Sequence, residues 1–271
     1  SSLVGSEMCI RDRYIPNEVI GMQIFFAFKK LKKEFERIKS YGKICNEHKG
    51  PHSVGTLFEE LLGKKKDQLS LPDYEGIEIK TKKLYQGKIK QKYFTLFHEK
   101  PSSVSYQTKE FLDTYGYGSS HNEKVLNMSI YSYKKVSVIS GYSFQLFVNE
   151  KKKRLELHCY DETGCLIDAS YYWSFKDLKK RLYQKMKYLA FVFASVSYYS
   201  SDEFVQFQTI SFYILRDFSF FLFCIKQGCI RVSFKIGYFR DGPRKGEVHD
   251  HGVGFELRFS DLETLYEKVS I

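Results

Sequence analysis

The stretch Leu71-Pro-Asp-Tyr-Glu-Gly-Ile-Glu-Ile-Lys80 constrains this chain more than any other. Ile77 and Ile79 alternate with Glu78 and Lys80, a period of two that a strand satisfies and a helix does not. Such a strand must bury its isoleucine face and hold a carboxylate and an ammonium together on the other. Asp73 follows Pro72, which favours extended or turning backbone at the entrance to the strand. The spacing Asp-x4-Glu-x-Lys suits metal-dependent phosphodiester hydrolysis. Asp73 and Glu78 can hold a hard cation such as Mg2+, which would polarise the phosphate and acidify a bound water. Lys80 can orient that water or neutralise developing charge. The same triplet also describes a plain surface strand with solvated charges.

The segment Gly50–Gly63 favours the chemical reading. It is a short helix by pattern, with Ser53 as N-cap, Val54, Leu57, Phe58, Leu61 and Leu62 as the apolar stripe, and Gly63 as the stop. Glu59 lies off the stripe just before the strand, where it can be a third carboxylate at the metal site.

Gly55-Thr-Leu-Phe-Glu59, Pro72-Asp73, Gly76-Ile-Glu-Ile-Lys-Thr81 and Thr95-Leu-Phe97 resemble the MvaI/BcnI group of type II restriction endonucleases. The resemblance resumes at Arg154-Leu-Glu-Leu157, Tyr172-Trp-Ser-Phe175, Lys187-Tyr-Leu-Ala190 and Lys235-Ile-Gly-Tyr238. It is sharpest at Lys245-Gly-Glu-Val-His-Asp-His-Gly252 and runs in one order from about Gly42 to the C-terminus. It implies a PD-(D/E)XK restriction-endonuclease-like α/β fold, a mixed sheet flanked by helices, with two lobes around a DNA cleft. It further implies a Mg2+-dependent, usually monomeric enzyme that cuts double-stranded DNA within a short site, with Glu59, Asp73, Glu78 and Lys80 at the catalytic positions. A cytoplasmic restriction–modification system with a cognate DNA methyltransferase follows from that reading. The Glu-Ile-Lys strand alone is shared with the repair nickase MutH; a MutH-like strand-nicking enzyme and an inactive DNA-binding protein are the rival readings.

His249-Asp250-His251-Gly252 follows a basic turn, Arg240–Glu247. Two histidines two residues apart can share a cation, act as a base, or hydrogen-bond to base edges or phosphate; the resemblance favours the last. They can also simply be satisfied in a tight turn. Arg240, Arg244 and Lys245 are candidate phosphate contacts that position a duplex without reading it. The chain departs from its better-known relatives where they carry an acidic-x-Arg pair before the Ile-Gly: here stand Ser233 and Lys235. Glu256 stands where they have Arg, with Arg258 two further on. Those positions read outer G·C pairs of CCNGG sites, so a different target is expected, with Lys235 offering a donor and Glu256 an acceptor to base edges.

Ser1–Arg13 resembles the in-frame translation of a tagmentation sequencing adapter, so it is expected to be a library artefact that has replaced the native N-terminus. Residues 14–271 are expected to form one endonuclease domain, with a catalytic part over about 42–170 and a recognition part over about 171–271. The net charge of +11 suits a polyanionic partner. Cys45, Cys159, Cys165, Cys224 and Cys229 follow the adapter-like segment without a C-x-x-C, which favours reduced thiols over a disulfide scaffold. The apolar runs Leu189–Ala194 and Phe218–Ile225 are too short to span a bilayer.

Elsewhere the pattern predicts a basic amphipathic helix over Asn17–Ile38 and a hairpin or DNA-lying arm over Lys80–Lys92. Pro101–Glu123 is expected to be a long loop, ending in the Tyr115–Asn122 segment. An antiparallel meander is expected over Ser143–Tyr171, then a helix capped by Ser174 and a buried strand from Leu189. A strand and helix follow to Gly228, then strands over Ile230–Tyr238 and Gly254–Phe259, and a terminal helix opened by the capping box Ser260-Asp-Leu-Glu263.

Overall fold

The computed structural model describes residues 17–63, 72–85, 87–89, 91–103, 107–118 and 123–271. The adapter-like segment and residues 119–122 of the Tyr115–Asn122 segment lie outside the described residues. Among the residues described, the strands form three sheets. The first is mixed. The Glu78–Tyr85 strand runs parallel to Tyr188–Tyr199, which pairs antiparallel with the long Asp202–Leu215 strand. Ile44–Asn46 and Tyr266–Val269 each add to Asp202–Leu215, and Lys88–Ile89 folds back on the end of Glu78–Tyr85 as a hairpin.

The Tyr188–Tyr199 strand divides two cores by its alternation. Ala190, Val192 and Ala194 face a core closed by the Asn17–Lys39 and Ser53–Leu61 helices. Leu189 and Phe191 face a larger core shared with the other two sheets. The register Glu78↔Leu189 and Lys80↔Phe191 therefore sets Glu78 and Lys80 on the side of the larger core, and Ile77 and Ile79 against the helices. Phe28 and Phe58 anchor those helices, packing on Phe212 at 4.9 Å and Phe207 at 5.1 Å between ring centres.

The second sheet has the order Tyr93–His98, Gly254–Arg258, Ile230–Tyr238, Lys124–Ile130, Tyr117–Gly118, with Val248–Asp250 on the far end of Ile230–Tyr238. Ile230, Val232, Phe234 and Ile236 enter the core, leaving Arg231, Ser233, Lys235 and Gly237 on the opposite, polar face. The third sheet is the expected meander, extended by Tyr172–Ser174. The parts expected on either side of residue 170 interleave. The sheet that carries Glu78 takes its central strands from 188–215, and the second sheet draws on 93–130 as well as 230–258.

Three local expectations give way. Ser53 does not cap its helix: His52 stands at the N-cap, and the buried Ser53 hydroxyl donates to Glu203 instead. Pro101–Glu123 holds a helix, Thr108–Tyr115, because Phe111, Leu112 and Tyr115 form an apolar stripe at helical spacing that reaches the core. The capping box at Ser260 yields only a 3-10 turn and one helical turn, and the chain then runs into the Tyr266–Val269 strand. Tyr266 is buried there, and the strand pairs antiparallel with the end of Asp202–Leu215. All five cysteines in the described residues are free. No helix among the described residues is long and apolar enough to cross a membrane.

Candidate active site and nucleic-acid interface

A tight turn brings the first carboxylate to the strand. Tyr74 and Ile77 exchange both backbone hydrogen bonds, and Glu75 and Gly76 between them have φ of 44° and 86°. Both central residues are left-handed, the geometry of a two-residue hairpin turn. The chain so folded lays Asp73 beside the strand, where its Oδ2 accepts from the Ile79 amide at 2.9 Å. Lys30 of the first helix pairs with Glu75 and holds the turn down.

Glu78 is 2% exposed. Its Oε1 takes the Lys80 ammonium at 2.6 Å and lies 3.6 Å from the Lys185 ammonium. Its Oε2 is buried and has no hydrogen-bond partner among the described residues. Burial raises the Glu78 pKa, with Asp73 adding to the rise and Lys80 and Lys185 opposing it. Lys185 comes from the Phe175–Met186 helix, which Ser174 caps by accepting from the Asp177 amide at 3.0 Å. Trp173, fully buried, donates to the Glu99 carbonyl at 2.9 Å and fixes the start of that helix. The Trp-Ser-Phe motif is thus the mount for a lysine at the Glu78 carboxylate, which acid-x-Lys spacing does not reveal.

Glu59 lines the same cavity of about 910 Å³ as Asp73, Glu78 and Lys80. It stands one turn beyond Gly55, whose missing side chain lets the helix approach Thr81; a Cβ there would meet the Thr81 hydroxyl at 3.2 Å. Thr81 lies on the opposite face of the strand from Glu78, so Glu59 approaches across the strand's open edge. No three acidic, histidine or cysteine side chains among the described residues converge tightly enough to hold an ion. All three expected metal ligands, Asp73, Glu78 and Glu59, line this one cavity. The helix is held by Glu203, whose carboxylate accepts from Asn46, Ser53, Lys83 and Tyr198. Burial raises its pKa, but these bonds outweigh burial and hold it below the usual carboxylate range.

The donor set fits a divalent cation. A buried carboxylate oxygen without a partner is costly, and Mg2+ characteristically uses one or two carboxylates with waters and substrate phosphate oxygens.

The polar face of the second sheet gathers Lys235, Asn127, Arg240, His249 and His251 around a hollow of about 350 Å³. Phe239 stacks on His249 at 4.0 Å between ring centres, and His251 packs on His249 at the same distance with its ring tilted by 45°. The His251 pKa is lowered by desolvation, then by His249 and Lys235. Asp250 shapes the turn instead, its Oδ1 accepting from the Gly252 amide at 2.8 Å. Gly252 has φ of 86°, and a Cβ there would lie 3.2 Å from the His98 ring. His98 ends the Tyr93–His98 strand, opposite Gly254. Desolvation lowers its pKa, and Lys185, Lys80 and Lys235 add to that against Glu256. Gly252→Ala is therefore expected to strain the turn and displace His98. Its cleavage rate should fall at least about tenfold with little loss of overall fold, read by plasmid cleavage beside circular dichroism.

The Glu256 carboxylate is spent elsewhere. It pairs with Arg231, directly opposite on the neighbouring strand, at 2.7 Å, and accepts from the Ser233 hydroxyl at 3.0 Å. Arg231 in turn lies over Tyr93, 3.8 Å from the ring centre. Arg258 is turned to Asp261 and the Gly228 carbonyl, away from the hollow. Arg244 pairs with Glu247 at the exposed tip of the basic turn, and Lys245 is exposed beside it. Asn127 and Ser129, opposite Lys235 and Ser233, join the polar face without having been expected. Their signal was the alternation of the Lys124–Ile130 strand, with Leu126, Met128 and Ile130 inward.

The family model of the MvaI/BcnI restriction endonucleases matches residues 32–266. The chain belongs to the MvaI/BcnI restriction endonuclease family. Among solved structures, that of restriction endonuclease MvaI in complex with its cognate DNA substrate superposes with a TM-score of 0.79 at 25% identity, covering 89% of this chain and 96% of that one. The structure of MvaI in the absence of DNA gives a TM-score of 0.57 at 26% identity, covering 90% and 96%. No curated protein matches the chain in sequence. Membership in the MvaI/BcnI family makes the chain a type II restriction endonuclease with the mixed-sheet fold of that group.

Proposed function

We propose that this MvaI/BcnI-family chain is a Mg2+-dependent endonuclease that hydrolyses double-stranded DNA within a short recognition site. In this reading it is one endonuclease domain that works as a monomer in the cytoplasm beside a cognate DNA methyltransferase. The observation that carries the catalytic part is the partnerless, buried Oε2 of Glu78 beside Asp73 in a cavity that also holds Lys80. Bound there, the cation would polarise the scissile phosphate and acidify the attacking water. Asp73 and Glu78 would hold it, with Glu59 lining the same cavity. Lys80, 2.6 Å from Glu78 Oε1, is fixed where it can orient the attacking water. Lys185 offsets the carboxylate charge that would otherwise repel the DNA backbone.

The hollow of the second sheet supplies the readers in this account. Lys235, His249 and Asn127 on strands, and His251 just beyond one, present donors and acceptors that base-edge discrimination can use. Arg240, Arg244 and Lys245 contact phosphate. The similarity to a DNA-bound relative supports the same mode of engagement. With Ser233, Lys235 and an Arg231-bound Glu256, the target differs from CCNGG.

The deciding experiment is digestion of plasmid in Mg2+ against an EDTA control, with the fragment ends sequenced. Discrete linear products with one end motif support the reading. Nicked circles alone would favour a strand-nicking enzyme, and no cleavage in any divalent cation would overturn it. Binding of a +11 chain to DNA through six or more phosphate contacts should also weaken by roughly 10³-fold between 50 and 200 mM salt. A flat salt titration would remove nucleic acid as the partner.

A further inference from the structure

Among the described residues Lys82 is a buried cation without an anion. It continues the face of Glu78 and Lys80, is 4% exposed, and lines the same cavity. Its ammonium donates to the Gln91 side-chain oxygen at 2.7 Å and lies 5.5 Å from the centre of the Phe94 ring. No carboxylate among the described residues pairs with it. The contrast with its neighbours is sharp. Lys80 has Glu78, and Lys83, on the other face, has Glu203. A charge desolvated without a counter-ion is a standing cost to the fold, and such groups collect where a ligand supplies the missing charge.

Spacing says which ligand. Two residues of strand rise about 6.6 Å, comparable with the distance between successive phosphates of one DNA strand. With the scissile phosphate at Lys80, the phosphate next to it in the same strand falls at Lys82. On the basis of the endonuclease reading, we propose that Lys82 is a substrate-binding residue that takes the phosphodiester adjacent to the scissile one. The Gln91 oxygen engages one N–H of the ammonium, leaving others for phosphate oxygens, and the Phe94 ring keeps water from competing. Desolvation, with the Lys80 charge second, brings the Lys82 pKa down to about 8 in the unbound protein. The group is then most easily recharged by an arriving anion.

The test first establishes the cut position with wild-type protein on plasmid; absence of cleavage there would fail the endonuclease reading itself. Duplexes carrying one uncharged methylphosphonate at each phosphate flanking the cut are then cleaved by wild type, Lys82→Met and Lys82→Arg. In the wild type, neutralising one flanking phosphate should lower kcat/KM about tenfold. In Lys82→Met, cleavage of the natural duplex should fall by a similar factor, and the same methylphosphonate should then have no further effect. Lys82→Arg, which keeps the charge, should retain most activity and the methylphosphonate sensitivity. Lys82→Met should also raise Tm, because it removes a desolvated charge from the free protein. That gain should shrink as pH rises from 8 towards 10.5, where the native lysine is already neutral. Losses that simply multiply at every flanking phosphate would overturn the assignment. So would a wild type indifferent to all of them, or a Lys82→Met protein that is destabilised yet cuts normally.

Discussion

Asp73→Asn, Glu78→Gln and Lys80→Met should each reduce plasmid cleavage at least about a hundredfold, while duplex binding without metal holds or tightens in the two carboxylate variants. The binding arm follows from charge. Those two variants remove negative groups from a cavity that must admit a polyanion, so repulsion falls. The cleavage arm follows from geometry. Glu78 presents one oxygen to Lys80 and Lys185 and the other to nothing, and the amide variant can no longer offer the second as an anionic ligand. Asp73 ties the turn to the strand through the Ile79 amide. The asparagine keeps an oxygen for that bond, so a loss of activity there reports chemistry and not a slipped turn. Glu59→Gln should cost less, since Glu59 reaches the cavity from the far face of the strand. An Asp73→Asn protein that cuts at the wild-type rate in Mg2+ would move the site elsewhere.

The Glu78–Tyr85 strand was legible because its period-two pattern and its candidate chemistry occupy the same four residues. Ile77 and Ile79 could only be core, and Glu78 and Lys80 had then to share the other face. The helix that carries Glu59 was legible by the same logic, but its cap was not. Ser53 is equally suited to cap a helix or to satisfy a distant buried acid, and Glu203 lies 150 residues away. Lys185 and Lys82 were hidden for related reasons. Each is one lysine among many, distinguished only by a register or a missing partner that pairing of strands decides. The Thr108–Tyr115 helix was masked by the Gly- and Tyr-rich residues that follow it. Family resemblance singled out the His-Asp-His-Gly turn, which lies on the polar face of the second sheet. It did not reveal that Asp250 accepts from the Gly252 amide while His249 packs between Phe239 and His251, because spacing alone does not show which neighbours a side chain meets.

Glu256 is where departure from the family and physical structure meet, and its removal should destabilise the fold. Glu256 is 6% exposed and faces Arg231 directly across the strand pair, with Ser233 on its other oxygen. Glu256→Ala would leave a half-buried guanidinium on Tyr93 without its anion. Breaking such a pair costs about 2 kcal/mol after allowance for the solvent that reaches Arg231, a fall in Tm of roughly 4–8 °C for a chain of this size. The freed Arg231 lies on the same polar face as Lys235 and can donate to guanine O6 and N7, so the cleavage motif should shift or broaden towards G·C. The double variant Arg231→Met/Glu256→Leu should recover Tm, because neither charge is then left unpaired, and should lose that shift. Lys235, with its ammonium exposed and 3.7 Å from Glu256, contributes little to stability. Lys235→Ala should therefore leave Tm unchanged while altering the motif, at roughly 1–3 kcal/mol of discrimination at one base pair. Thermal melts read the first effect, and fragment-end sequencing from a randomised DNA library reads the second. An unchanged Tm in Glu256→Ala would deny the pair its structural role. An unchanged motif in Lys235→Ala would transfer base reading to Asn127 and the stacked histidines.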